Sequence, residues 1–147
     1  MHADEARRRF GDARVGRLAT VSADGAPQVV PIVFAADGDL VFSAVDAKPK
    51  SSRRLKRLRN IEANPRASLL VDHYNEAWEH LWWVRADGTA RIEESGPGRD
   101  RAIELLRAKY AQYAGMPDAF GDVIVITVDR WLSWSFTGEG SVLGSAV

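Results

Sequence analysis

An α+β domain built on a small six-stranded antiparallel barrel is the fold class this sequence predicts. Three observations lead to it. Short apolar, β-branched runs are divided by Asp-Gly turns, two helix-periodic segments interrupt them after the third and fifth runs, and 147 residues suit one domain.

Residues 3–10, ADEARRRF, place acids in a first helical turn and arginines in a last one, so a short helix is expected there. Residues 16–22, GRLATVS, read as the first strand, and Ala23-Asp24-Gly25 as a turn. Residues 28–35, QVVPIVFA, read as the second strand, and Pro31 within it implies a sheet edge or a bulge. Asp37-Gly38-Asp39 signals a hairpin into the third strand, residues 40–45. After Asn64-Pro65 the fourth strand covers residues 67–74. The fifth, LWWVRADGTARIEE at 81–94, carries a kink or bulge at Gly88. Ile103, Leu106, Tyr110 and Tyr113 recur at helical spacing over residues 99–114, and residues 122–134 form the sixth strand. The single domain is expected over 1–136, with a Gly- and Ser-rich tail at 137–147 held loosely.

Between the third and fourth strands lies AKPKSSRRLKRLRNI, residues 47–61. It holds seven cations (Lys48, Lys50, Arg53, Arg54, Lys56, Arg57 and Arg59) and no acid. Leu55, Leu58 and Ile61 give it the apolar edge of an amphipathic helix, which Ser51 or Ser52 can cap and Asn64-Pro65 ends. The chain as a whole is balanced, with 20 basic and 20 acidic residues. A local positive patch on a neutral protein points to a discrete anion rather than to nucleic acid, which would call for a wider basic surface. Charge alone does not separate such a site from a solvated helix face.

Composition narrows the chemistry further. With no cysteine, disulfides and thiolate metal sites are excluded, and His2, His73 and His80 lack metal-binding spacing, so no metal is expected. No apolar run reaches membrane-spanning length and the N-terminus has no apolar signal core, so a cytoplasmic protein with no membrane partner is expected. Five tryptophans are many for this length. Adjacent Trp82 and Trp83 must point to opposite faces of their strand, and Trp131 and Trp134 likewise. An outward indole suits a second protein surface or a stacked ring, with ordinary core and interface packing as the alternative.

Taken in order, these segments resemble the pyridoxamine-phosphate-oxidase-like split β-barrel proteins. NIEANPRASLLVD at 60–72 is similar to the helix-to-strand junction of that family. LATVSADGAPQVVPIVF and LWWVRADGTARIEE resemble its deazaflavin-dependent actinobacterial branch, which uses coenzyme F420. The resemblance spans roughly residues 10–136. It implies a homodimer with two cofactor sites at the interface. It implies cofactor contacts from Gln28 and Pro31 on the second strand and from Ser43, Ala44 and Val45 on the third. Phosphate contacts would come from Lys48, Lys50, Lys56 and Arg57, with Arg53 and Arg54 as alternatives, and Trp83 would reach the cofactor from the partner subunit.

The cofactor so implied is F420, with FMN as the alternative. A terminal phosphate of about −2 needs roughly two or three cations. Seven along residues 48–59 form a longer track, which suits the phosphodiester, lactate and polyglutamate of F420. The expected activity is hydride transfer from the reduced deazaflavin to a small unsaturated or conjugated molecule, with no residue assigned as catalytic acid. A non-catalytic flavin- or deazaflavin-binding protein is the other expectation.

Overall fold

The computed structural model describes residues 1–47, 55–138 and 142–143. The elements run α1 (Ala3–Asp12), β1 (Gly16–Val21), β2 (Pro27–Ile32), β3 (Ala35–Asp37), β4 (Leu40–Asp46), α2 (Lys56–Ala63) and β5 (Arg66–His73), then β6 (Trp82–Glu93), α3 (Pro97–Lys109), β7 (Phe120–Ser135) and β8 (Val142–Leu143). Two 3-10 turns, Trp78–His80 and Ala111–Gly115, precede β6 and follow α3.

All strand pairs are antiparallel, in the order β2-β1-β5-β6-β7-β4-β3, with β8 paired to β7 beside this path. Among the described residues the expected six strands are therefore eight. The stretch predicted as one second strand is two, β2 and β3, broken at Val33-Phe34. The break has a tertiary cause. The Tyr110 hydroxyl accepts from the Phe34 N–H at 3.2 Å and lies 3.1 Å from the Phe34 carbonyl, drawing this backbone out of the ladder. The eighth strand comes from the segment expected as tail, where Val142 pairs with Leu132 and Leu143 with Trp131.

The two ends of the sheet, β2 and β3, are neighbours in the chain. Three peptide steps from Ile32 to Ala35 span at most about 11 Å. The sheet must therefore curl until its edges approach, which makes an open barrel closed by the chain itself. Pro31 sits on the edge strand β2, where the missing N–H breaks no ladder. At Gly88 the β6–β7 register shifts, and a Cβ there would lie 2.1 Å from the Thr127 carbonyl oxygen. Only glycine admits so close a backbone approach. Gly25 and Gly38, at φ 88° and 58°, make the tight turns before β2 and β4.

Inside the barrel, Leu18, Phe34, Leu69, Val71, Val84, Ile124 and Ile126 form one apolar cluster. From α1, Phe10 enters it, 5.1 Å from the Phe34 ring and 4.9 Å edge-on to Trp131. Asp39, in the β3–β4 turn, accepts from Trp131 Nε1 at 3.0 Å and from Arg7 of α1 at 2.5 Å, which ties three elements together. From α2, Leu58 and Ile61 join the same cluster, as their spacing predicts. The outer face of β4 and β7 is covered by α3, whose Ala102 packs with Phe42, Val123 and Val125. Burial on both faces explains why residues 123–126, VIVI, are apolar without alternation.

Candidate functional site

The site is built where α2 leans on β1 and β2. Thr20 and Gln28 are direct cross-strand partners. Between them reaches Asn60 of α2, whose Nδ2 donates to Thr20 Oγ1 at 3.0 Å and lies 3.4 Å from Gln28 Oε1. Both Asn60 and Thr20 are buried. One turn earlier stands Arg57. Its Nε is buried and has no hydrogen-bond partner among the described residues. Burial pushes the guanidinium below its ordinary pKa, and the charge of Asp46, at the end of β4, opposes that shift. Lys56 is exposed beside it.

An unpartnered buried N–H is costly, and an anionic oxygen is the acceptor that satisfies it most strongly. The residues present therefore fit a phosphate-bearing cofactor. Of the expected set, Gln28 meets Asn60 here, and Lys56 and Arg57 stand one turn earlier on the same helix. Thr20 and Asn60 complete the group, and sequence alone does not single them out. A signal for Asn60 existed: an amide between Leu58 and Ile61 interrupts the apolar edge of a helix. Lys48, Lys50, Arg53 and Arg54 lie outside the described residues, as do Ser51 and Ser52. The helix begins at Lys56 with Leu55 at its N-cap and no side-chain cap.

The third-strand residues divide by face. Ser43 and Val45 are buried, and Val45 belongs to the barrel core. The Ser43 hydroxyl donates to the Val33 carbonyl at 2.9 Å. Ala44 packs instead with the clusters beneath α3. Pro31 is exposed, opposite Arg17.

The tryptophans take the faces their spacing requires. Trp82 packs against the core and stacks on His73 at 6.0 Å, and Trp131 is buried. Trp83 is half-buried on the outer face, paired across the strands with Trp134. Trp134 and Phe136, 36% and 51% exposed, extend that aromatic surface. On the same outer face Asp87 accepts from Ser68 at 2.7 Å, from Arg85 at 2.8 Å and from Arg130 at 2.9 Å. Burial raises its pKa, but these donors prevail and hold the carboxyl below its ordinary value.

A cavity of about 740 Å³ opens elsewhere, lined among others by Arg9, His73, His80, Trp82 and Ser135. None of the expected cofactor residues among those described lines it. Among the described residues no cluster of acids and histidines is arranged to hold a metal, and no helix is long and apolar enough to cross a membrane.

This fold and site define a class. A sequence profile of the family described as pyridoxamine 5'-phosphate oxidase matches residues 3–135, and the chain belongs to that family. Solved structures share the fold. One is a conserved hypothetical protein from Mycobacterium tuberculosis, at TM-score 0.72 and 23% identity over 99% of this chain and 94% of that one. Another is a FAD-binding protein from Mesorhizobium loti, at 0.68 and 25% over 90% and 92%. A third is the heme storage protein HutZ from Vibrio cholerae, at 0.68 and 17% over 92% and 95%. The family's structural relatives thus include a flavin binder and a heme binder.

Proposed function

We propose that the protein is a homodimeric oxidoreductase that binds coenzyme F420 between two barrels and reduces a small unsaturated or conjugated molecule. The observation that carries this reading is the buried Arg57 Nε, without a partner among the described residues, one helical turn before the Asn60–Gln28 pair. Arg57 would take the phosphate group, with Lys56 next to it and Lys48 and Lys50 continuing the basic track toward an acidic tail. Asn60 fixes the Gln28 carboxamide, so Gln28 presents its remaining donors and acceptor in a set orientation. Ser43 and Val45 face inward and Ala44 packs beneath α3, so what β4 would offer the ring is its backbone. The Trp83–Trp134 surface is the wall a second protomer would bring.

When bound, the reduced deazaflavin supplies a hydride from its central ring carbon. The chain's part is to orient the ring, neutralise the phosphate and exclude water. The extended run of cations favours F420 over FMN.

Titration of the purified protein with F420 and with FMN, followed by tryptophan fluorescence, tests this. F420 should saturate at micromolar concentration or below and weaken with added salt. Tighter FMN binding would replace F420 in the reading. Binding without loss of reduced-cofactor absorbance across a panel of enones and quinones would make the protein a carrier.

One observation favours a second reading. His73 and His80 line the same cavity of about 740 Å³, and an imidazole is a haem ligand. Haem binding would give a Soret band that His73→Ala or His80→Ala abolishes. The F420 reading predicts no saturable haem spectrum.

A further inference from the structure

Away from α2, the end of α3 and the segment entering β1 flank an open cleft of about 700 Å³ lined by Arg14, Val33, Lys109, Tyr110, Ala111 and Gln112. Two cations share it. Lys109 Nζ donates to the Phe34 carbonyl at 2.8 Å and lies 4.0 Å from the Phe34 ring centroid and 5.2 Å from that of Tyr110. Arg14 donates to the Lys109 carbonyl at 2.8 Å and stands 5.5 Å from the Tyr110 ring centroid.

Neither cation pairs with a carboxylate among the described residues. Asp12, whose charge reaches Lys109, is 76% exposed and lies 3.9 Å from Arg8. Burial first, and then the neighbouring Arg14, bring the Lys109 ammonium from 10.5 to about 8. Two like charges held over one aromatic floor, with part of their donor capacity unused, have among the described residues only the exposed Asp12 acting against them, and it already stands near Arg8.

We propose that this cleft binds a small organic phosphate ester, its phosphate held between Arg14 and Lys109 and its body against the Tyr110 ring. A guanidinium fork and an ammonium are the pair suited to one tetrahedral oxyanion, and the Gln112 amide offers a further donor. The volume falls in the range of ligand pockets and exceeds what one inorganic anion fills. No described residue of the Arg57 site lines the cleft, so this assignment stands apart from the F420 reading.

The test is an NMR titration of the full chain with phenyl phosphate and, separately, inorganic phosphate, at constant ionic strength. Phenyl phosphate should shift the Arg14 and Gln112 amides saturably and bind at least tenfold more tightly than inorganic phosphate. Arg14→Gln and Lys109→Met should each weaken it tenfold or more. If Lys109→Met fails to fold, Arg14→Gln decides, because the exposed Arg14 side chain contributes one hydrogen bond, to the Lys109 carbonyl. Shifts without saturation, shifts confined to α2, equal affinity for the two probes, or Arg14→Gln binding like the parent would each overturn the assignment.

Discussion

The side-chain amide of Asn60 stands 3.0 Å from the Thr20 hydroxyl, and both groups are buried. This contact fixes the height of α2 over β1 and so the place of Arg57. Asn60→Leu should cost about 1–3 kcal/mol, because Thr20 and Gln28 lose a donor in a dry setting. Asn60→Leu combined with Thr20→Val should cost less than the sum of the two single changes, since the double variant leaves no orphaned hydroxyl. Urea denaturation of the four proteins in the cycle measures it. Strict additivity would show that the pair is not coupled.

Arg57 should separate binding from stability. Arg57→Met removes a half-buried cation whose Nε has no partner among the described residues, so the unliganded protein should unfold no earlier than the parent, and F420 affinity should fall by at least tenfold, about 1.4 kcal/mol. Thermal unfolding and fluorescence titration of one preparation read both. Unchanged affinity would place the phosphate elsewhere.

Gly88 should tolerate no side chain. Alanine there would drive its Cβ against the Thr127 carbonyl, and the β6–β7 pairing would have to part. The expected loss is about 3 kcal/mol or failure to accumulate folded protein. Chemical denaturation of Gly88→Ala checks it, with Gly11→Ala, where nothing lies within 4 Å of an added methyl, as the control.

Asp87 should give the fold an acid limit. Its pKa in the folded chain lies below the ordinary 3.8, so the unfolded chain takes up the proton first as pH falls. The stabilisation from Ser68, Arg85 and Arg130 is then complete above about pH 4 and disappears as pH drops through the folded-state pKa. Asp87→Asn should destabilise by about 1–3 kcal/mol at neutral pH and flatten the acid limb of a stability–pH curve. An acid limb identical to the parent's would assign the effect to other carboxyls.

The aromatic surface should report on assembly. Trp134→Glu places a charge beside Trp83 and Phe136, and the proposed dimer should dissociate on dilution while the barrel stays folded. Light scattering with far-ultraviolet circular dichroism checks both halves of that statement. A parent protein that is monomeric at millimolar concentration would remove the interface, and with it the proposed two-barrel site.

Features with local causes were legible in the sequence. Pro31 announced an edge or a bulge because a missing donor is tolerated at either, and Gly88 a kink or bulge because close backbone approach needs a bare Cα. Leu58 and Ile61 showed which side of α2 is buried. What stayed hidden had distant causes. The division of β2 from β3 depends on a tyrosine 76 residues further on. That Ala44 turns toward α3 while Ser43 and Val45 turn inward follows from which face α3 covers, and strand alternation does not choose between faces. The Asn60 contact joins residues 40 apart, and no spacing rule links them.

Because the outermost strands of the sheet follow one another directly, the Val33-Phe34 junction works as a hasp. Joining those margins costs little loop-closure entropy, as only Val33 and Phe34 lie between them. A single proteolytic nick there should leave the other ladders hydrogen-bonded yet let the two borders drift apart, exposing Phe34 and Phe10 to solvent. New termini placed at the same point by circular permutation should therefore yield a protein that retains its strand pairing and loses its watertight interior.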